Sequence, residues 1–454
     1  MKVNDPMNYV IDKKNFYRKL WALALPIAFQ SLMGSAVAAG DAFMLGRIAQ
    51  SEMTAVSLAS QIQFVQNMFI FAVTGAGSIL GAQYFGKGDT VSLKKIFNLM
   101  IRFTSIVSIL FFLACMFIPD LLMMAFTNEP ELIRIGCDYL RIAGFSYLIV
   151  GVSQSYLAMM KVSGHVPASV IISSSAVVSN ILFNAVFIFG LFGIPAMNAR
   201  GAAIATVIAR IVELMLCFIV ASGKNHIRPN LKIWLGEKGL TLDFFKQLLP
   251  LLGGSLLWGV GFTAYTAIIG HMGEDASAAN SIVTVVRELI CCVCNGIANA
   301  AAIMVGNELG AGDLEKGKAY GRKLKTISWV IGFASSAVVL AVTPLMGHLV
   351  KLSGTAGDYL DGMMLITALY IIGRCVNTIT INGVIDGGGD TVFDMYSLAV
   401  SMWGVALPLA FLGAFVFDWP VLAVFACTCL DEVGKIPWVM VRFRKYKWVR
   451  NLTR

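Results

Sequence analysis

Residues 23–32 read LALPIAFQSL, and residues 247–256 read QLLPLLGGSL. The prolines of these stretches, Pro26 and Pro250, lie 224 positions apart. A second pair has the same spacing: GAQYFGKGD at 81–89 resembles GNELGAGD at 306–313, and their final Gly-Asp pairs are also 224 positions apart. Two independent anchors with one ungapped offset indicate that the chain arose by duplication of one unit.

The composition around these anchors predicts a membrane protein. The 454 residues are 57% hydrophobic and 13% charged, with a mean hydropathy of +0.76, whereas soluble proteins carry about 25% charged residues. The net charge of +9 is explained by Lys and Arg in cytoplasmic loops, so nucleic acid is not an expected partner. Most of the nine cysteines lie in apolar runs, and we expect them to be reduced, without a disulfide or metal role.

Apolar runs long enough to span a bilayer recur along the whole sequence. The basic start lacks the short apolar core of a cleavable signal peptide, so the first run is expected to be a true span. Twelve transmembrane helices are predicted: 20–46, 54–82, 97–126, 132–160, 166–192, 200–222, 244–270, 277–306, 326–350, 357–385, 391–416 and 419–442.

The connections between spans indicate orientation and domain organisation. Basic residues concentrate in the even-numbered connections and the tail, which predicts that both termini face the cytoplasm. The longest polar interruption, 224–243, is predicted to link an N-terminal lobe (1–223) to a C-terminal lobe (244–454). The fold class is therefore an all-α integral membrane protein with two six-helix repeats. Parallel repeats place a central cavity between two bundles, which is typical of transporters.

One carboxylate inside the first span is the primary functional candidate. Asp41 lies in SAVAAGDAFMLG, 35–46, and the nearest basic residue, Arg47, is six positions away. A charged residue at a helix centre costs about 2.5–3.5 kcal/mol on insertion scales. Such a carboxyl suits proton uptake and release or Na⁺ ligation; the alternative is an acid near the outer membrane surface that water reaches.

Other polar groups inside predicted spans are candidates for the same site or for structure. Asn180 and Asn184 lie one turn apart on one face of the fifth helix, where they suit ion binding or interhelical hydrogen bonds. Arg210 and Glu213 are expected to pair with each other. Glu288, beside Arg287 in the eighth span, is the alternative coupling residue.

Five motifs in order resemble the multidrug and toxic compound extrusion (MATE) family over nearly the whole chain. They are the first-span Asp fifteen residues after its Pro, the loop GAQYFGKGD, GIPAMNARGAAIATVIAR at 193–210, NGVIDGGGDT at 382–391, and the terminal KWVRNLT. The resemblance implies an antiporter with two six-helix lobes and a central cavity, which expels substrate in exchange for H⁺ or Na⁺.

The resemblance also implies residue roles and a branch. A coupling site of the DinF-type and archaeal branch corresponds to Asp41, Asn180, Asn184, Ala202 and Thr206, with Asn184 departing from the usual acid. The NorM-type branch has a Glu where this sequence has Trp258, which favours the first branch. Side chains expected at the substrate cavity are Gln30, Tyr139, Gln154 and Trp258.

The sequence leaves several functional alternatives. A dedicated metabolite exporter or a lipid-linked substrate flippase of the same superfamily competes with a multidrug exporter. An enzyme is not expected, because the four histidines are scattered and form no HExxH motif. No ATP-binding motif is present either, so the energy for transport is expected to come from an ion gradient or from the substrate gradient. We expect no cofactor and no metal beyond possible Na⁺ at the coupling site. The expected partners are small organic substrates and the lipid bilayer, for a monomer in a prokaryotic inner membrane.

Overall fold

The computed structural model describes residues 12–223, 226–229, 237–349 and 354–453, apart from the side chains of 36–39, 41–43, 46 and 347–349. This part of the chain is helical and contains no strand. The α-helices are α1 Lys13–Gly46, α2 Gln50–Lys87, α3 Thr90–Phe117, α4 Pro119–Met124, α5 Pro130–Val162, α6 Val166–Phe189, α7 Asn198–Ala221, α8 Lys238–His271, α9 Glu274–Gly310, α10 Leu314–Leu349, α11 Gly354–Thr378, α12 Thr391–Leu398, α13 Leu407–Phe415, α14 Val421–Thr428, α15 Leu430–Val433 and α16 Ile436–Arg444. Two π-helical segments, Ile379–Ile385 and Ala399–Ala406, continue α11 and join α12 to α13.

Ten helical stretches of the described residues are long and apolar enough to cross a bilayer. They correspond to the predicted spans from the second to the eleventh. The first predicted span lies in α1, and several of its side chains are outside the described residues. The all-α membrane fold is therefore confirmed.

Two predicted spans are wrong in detail, and proline is a physical reason in both. The span predicted at 97–126 ends at Phe117, and Pro119 starts the separate helix α4. The span predicted at 419–442 is three short helices, α14 to α16, with Pro437 in the first turn of the last one. Proline lacks a backbone N–H and clashes with the preceding turn, so a continuous helix is disfavoured.

The chain forms two compact units. Unit 1 comprises the residues up to Phe29, Ala82–Gly88, and the chain from Leu249 onward; unit 2 comprises Gln30–Gly81 and Asp89–Leu248. Unit 1 has an apolar core that includes Phe16, Leu20 and Leu324, all fully buried. The predicted lobe boundary at 224–243 lies partly outside the described residues and stays a prediction.

The duplicated glycine motifs pack against each other within unit 1. A Cβ on Gly86 would collide with the backbone of Asn307, and a Cβ on Gly310 would collide with the backbone of Gln83. Because Gly86 and Gly310, like Gln83 and Asn307, are 224 positions apart, the two contacts are reciprocal. This reciprocity is the arrangement expected of two repeats related by a twofold axis.

The C-terminal residues are fixed to the same region of unit 1. The Gln83 amide donates to the carbonyls of Gly387 and Arg450, each at 3.3 Å, and its oxygen accepts from the Leu452 N–H at 2.7 Å. Trp448 is fully buried, and its indole N–H donates to the Phe443 carbonyl at 3.1 Å. We call residues 445–453 the C-terminal strap; its packing makes it part of the core.

Outside the predicted spans, two histidine rings meet in unit 2. The ring centroids of His165, which precedes α6, and His226, which follows α7, are 4.0 Å apart. Burial lowers the pKa of His226 from its usual value of 6.5, and the charges of His165 and Arg228 lower it further. The ring contact places residues 226–229 against the α5–α6 connection, and the lowered pKa of His226 favours the neutral form of that imidazole.

Candidate functional site

Four of the five residues predicted for the coupling site lie together in unit 2. The Asn184 amide donates to the side-chain oxygen of Asn180 at 3.1 Å, and the Asn180 amide donates to the Thr206 hydroxyl at 3.3 Å. The Thr206 hydroxyl donates in turn to the Ala202 carbonyl at 2.9 Å. We call this hydrogen-bonded chain the amide–hydroxyl chain; it crosses from α6 to α7.

Close helix packing buries this chain. Asn180 and Asn184 are 3% and 1% exposed, and Ala202 is 1% exposed. Small residues on α7 allow the approach, because a Cβ on Gly201 would meet the Phe187 carbonyl oxygen at 2.6 Å. Amide and hydroxyl groups buried in apolar helices need partners, and here they supply them to one another. The group also offers the neutral oxygen donors that a small hard cation prefers.

The backbone of Asp41 belongs to α1, but its side chain lies outside the described residues. Its role in coupling, like that of the four residues of the amide–hydroxyl chain, stays a prediction.

The predicted cavity residues fall at separate positions. Gln30 donates from its amide to the Ser173 hydroxyl at 2.6 Å. Tyr139 is 4% exposed and belongs to the apolar core of unit 2. Gln154 donates to Glu213 at 3.4 Å, and Trp258 lies in unit 1, stacked on Phe262 with ring centroids 5.6 Å apart. The cavity role of these four side chains stays a prediction.

A buried ion pair in unit 2 confirms one structural expectation. Arg210 and Glu213 pair at 2.6 Å, as their spacing on one helix predicted. Glu213 also accepts from the Ser153 hydroxyl at 3.4 Å. The pair thus ties α7 to α5.

Unit 1 contains a larger charged cluster whose connectivity the sequence did not reveal. Glu432 accepts from Arg374 at 2.7 Å, from the Asn377 amide at 2.8 Å, and from Lys435 at 3.0 Å. We call it the Glu432 cluster. The repeat offset was the available signal, because Asn377 lies 224 positions after Ser153. In each repeat, a buried glutamate of the sixth predicted span of that repeat therefore bonds to a polar side chain at the same repeat position of its fourth predicted span.

The alternative coupling residue lies on α9 beside Arg287. Glu288 is exposed on α9. Its neighbour Arg287 places its guanidinium 4.9 Å from the ring centroid of Phe262 and 5.3 Å from that of Tyr370. The role of Glu288 stays a prediction.

The match to a family of transporters decides the identity. The MatE family model matches twice, at residues 26–186 and 250–412. The chain belongs to the MatE family. The two matches begin at Pro26 and Pro250, so their offset is that of the predicted duplication. MATE membership, with ten apolar helices among the described residues, makes this chain a multi-pass membrane protein of a family with multidrug efflux members.

Named relatives cover almost the whole chain. An uncharacterized transporter, YisQ of Bacillus subtilis, is 25% identical and aligns over 95% of this chain and 94% of its own length. A probable multidrug resistance protein NorM of Bradyrhizobium diazoefficiens is 25% identical over 90% of this chain and 88% of its own. Because NorM proteins are among these relatives, assignment to the DinF-type branch stays a prediction.

Solved structures share the fold. A Vibrio cholerae MATE transporter, VcmN, superposes with a TM-score of 0.88 at 16% identity, covering 97% of this chain and 98% of its own. A transporter of the MOP superfamily from Pyrococcus furiosus superposes with a TM-score of 0.80 at 14% identity, covering 97% and 100% of the two chains. The shared fold supports the two-lobe architecture.

Proposed function

We propose that this MATE protein is a secondary active antiporter that exports organic, cationic and amphipathic compounds in exchange for H⁺ or Na⁺. The observation that carries the proposal is the amide–hydroxyl chain, buried between two helices long and apolar enough to span the membrane. Buried polar groups at such depth are costly and mark ion or substrate pathways.

Asp41 supplies the charge in this proposal. Asn184 stands where the family usually has a second acid, so the predicted site carries one negative charge. One H⁺ or one Na⁺ neutralises it. Neutralisation then permits α1 to bend near Pro26, where the helix lacks a backbone hydrogen bond, and substrate is released outward.

The setting follows from the same proposal. The chain acts as a monomer in a prokaryotic inner membrane, with both termini in the cytoplasm and no cofactor besides the coupling ion. Orientation rests on the concentration of Lys and Arg in the even-numbered connections.

Ethidium efflux in proteoliposomes tests the proposal, with a proton gradient and a sodium gradient imposed separately. We expect one gradient to drive efflux in the native chain and neither to do so in Asp41→Asn. Asn180→Ala, which removes the middle of the amide–hydroxyl chain, should reduce coupled efflux at least tenfold. Asn299→Ala is the matched control, because that exposed amide bonds only to a carbonyl of its own helix.

The outcomes separate the alternatives. Full gradient-driven efflux in Asp41→Asn at normal expression would refute the coupling role of this carboxylate and make Glu288 the next candidate. If neither gradient moves ethidium in the native chain, the multidrug function is wrong, and a dedicated metabolite exporter replaces it.

A further inference from the structure

Unit 1 contains a row of two guanidinium groups and three aromatic rings. Arg374 lies 5.9 Å from the ring centroid of Trp258, which stacks on Phe262. Arg287 follows, between Phe262 and Tyr370. We call these five residues the arginine–aromatic row; it joins α8, α9 and α11, three of the predicted spanning helices.

The two arginines differ in how their charges are compensated. Arg374 makes an ion pair with Glu432 at 2.7 Å. Among the described residues, Arg287 has no carboxylate within 4.0 Å and no hydrogen bond, and its contacts are the two aromatic rings. Asp431 and Glu288 act on Arg287 only through longer-range electrostatics. As a whole residue, Arg287 is half-buried.

An incompletely compensated arginine needs a physical reason at this depth. Arg287 lies about 20 Å along α9 from Glu274, at a rise of 1.5 Å per residue. Intramembrane charges are expensive, and they face cavities or partners rather than lipid. The rings offer cation–π stabilisation of about 0.5–2 kcal/mol, but they accept none of the five guanidinium N–H donors in the way an oxygen does.

The chemistry of the row selects a ligand class. A guanidinium binds a carboxylate through two parallel hydrogen bonds, and the flanking rings favour a flat aromatic group in offset or edge contact. We propose that Arg287, with Phe262 and Tyr370, recognises the carboxylate of an aromatic substrate. Aromatic acids and zwitterions then join cations among the exported compounds; this rests on the proposed export function.

The test compares two ligands with the same ring and opposite charge. Anthracene-9-carboxylate and 9-(aminomethyl)anthracene are titrated, by their own fluorescence, against the full chain in nanodiscs of zwitterionic lipid, with empty nanodiscs as the partition blank. We expect the native chain to bind the carboxylate at least tenfold more tightly than the amine. Arg287→Gln should weaken carboxylate binding about ten- to hundredfold, the range for losing a charged hydrogen-bonding partner, and should leave amine binding unchanged.

Three further variants keep the result interpretable. Arg322→Gln removes the same charge from α10 of unit 1 and should bind the carboxylate like the native chain. Arg287→Lys, which keeps the charge without the planar fork, should bind with intermediate affinity. Phe262→Leu keeps the charge without one ring and should weaken both anthracene ligands.

The outcomes are decisive in both directions. Equal affinity of the native chain for the two anthracenes overturns the proposal, whatever the variants do, and so does an unaltered carboxylate affinity in folded Arg287→Gln. If octanoate, which lacks a ring, competes as well as anthracene-9-carboxylate, the site is an oxyanion site for lipid-like acids and the aromatic assignment fails. Ethidium efflux in the same proteins separates this result from a failure of the export function.

Discussion

Replacing Glu432 by Gln should destabilise unit 1 more than replacing Glu213 by Gln destabilises unit 2. The carboxylate is 2% exposed and compensates Lys435, 4% exposed, and Arg374, 21% exposed. Breaking a buried ion pair by removing one partner costs about 3–5 kcal/mol, because the remaining charge is buried without compensation. Here two cations lose their shared partner, so we expect the upper part of that range.

A buried glutamate of unit 2 provides a matched control for this prediction. Glu213 is equally buried at 1% exposure, but its single cation, Arg210, is 30% exposed and has access to water. Glu213→Gln should therefore cost only about 1–3 kcal/mol, the range for unsatisfied buried polar groups. The expected difference in unfolding free energy between the two variants therefore comes from the exposure and number of the cations, since both glutamates are buried.

Unfolding in mixed micelles by increasing SDS, followed by circular dichroism, measures both free energies. A second variant isolates the charge effect: adding Lys435→Met to Glu432→Gln should restore about 1 kcal/mol or more, because one uncompensated cation is removed. The reasoning is refuted if Glu432→Gln costs no more than Glu213→Gln, or if the double variant is less stable than the single one.

Three other predictions concern the C-terminal strap, the repeat contact and the histidine pair. Trp448→Ala should lower the free energy of unfolding by about 3–5 kcal/mol in the same assay. Trp419→Ala is the control, because this side chain is 38% exposed, and it should cost less than half as much. Equal costs would show that the strap does not belong to the core. Gly310→Ala should abolish the native packing against Gln83, visible as loss of the folded peak in size-exclusion chromatography, while normal elution and stability would contradict the close contact. Because burial lowers the pKa of His226, its docking should be retained above pH 6.5 and lost progressively below that value. Amide hydrogen exchange of residues 226–228, corrected for intrinsic rates, should therefore rise on acidification in the native chain and not in His226→Gln.

The sequence determined the class of protein and its duplication. Long apolar segments with few charges are stable in lipid as a bundle of helices, because each helix satisfies its own backbone hydrogen-bonding groups. The offset of 224 between Pro26 and Pro250 was readable because both copies keep the residue that breaks the regular hydrogen-bond pattern. The pairing of Arg210 with Glu213, three positions apart on one helix, was also predictable, because it depends only on helical spacing.

Tertiary structure decided what no local pattern encodes. In GAQYFGKGD and GNELGAGD, Gly88 and Gly312 have the positive φ of turn residues, whereas Gly86 and Gly310 allow the reciprocal backbone contact. Likewise, the partners of Glu432 on α11 and the rings around Arg287 come from distant segments of the chain, and such neighbours are fixed by packing. Sequence spacing specifies which residues share a helix face, whereas the choice of which faces meet belongs to the fold.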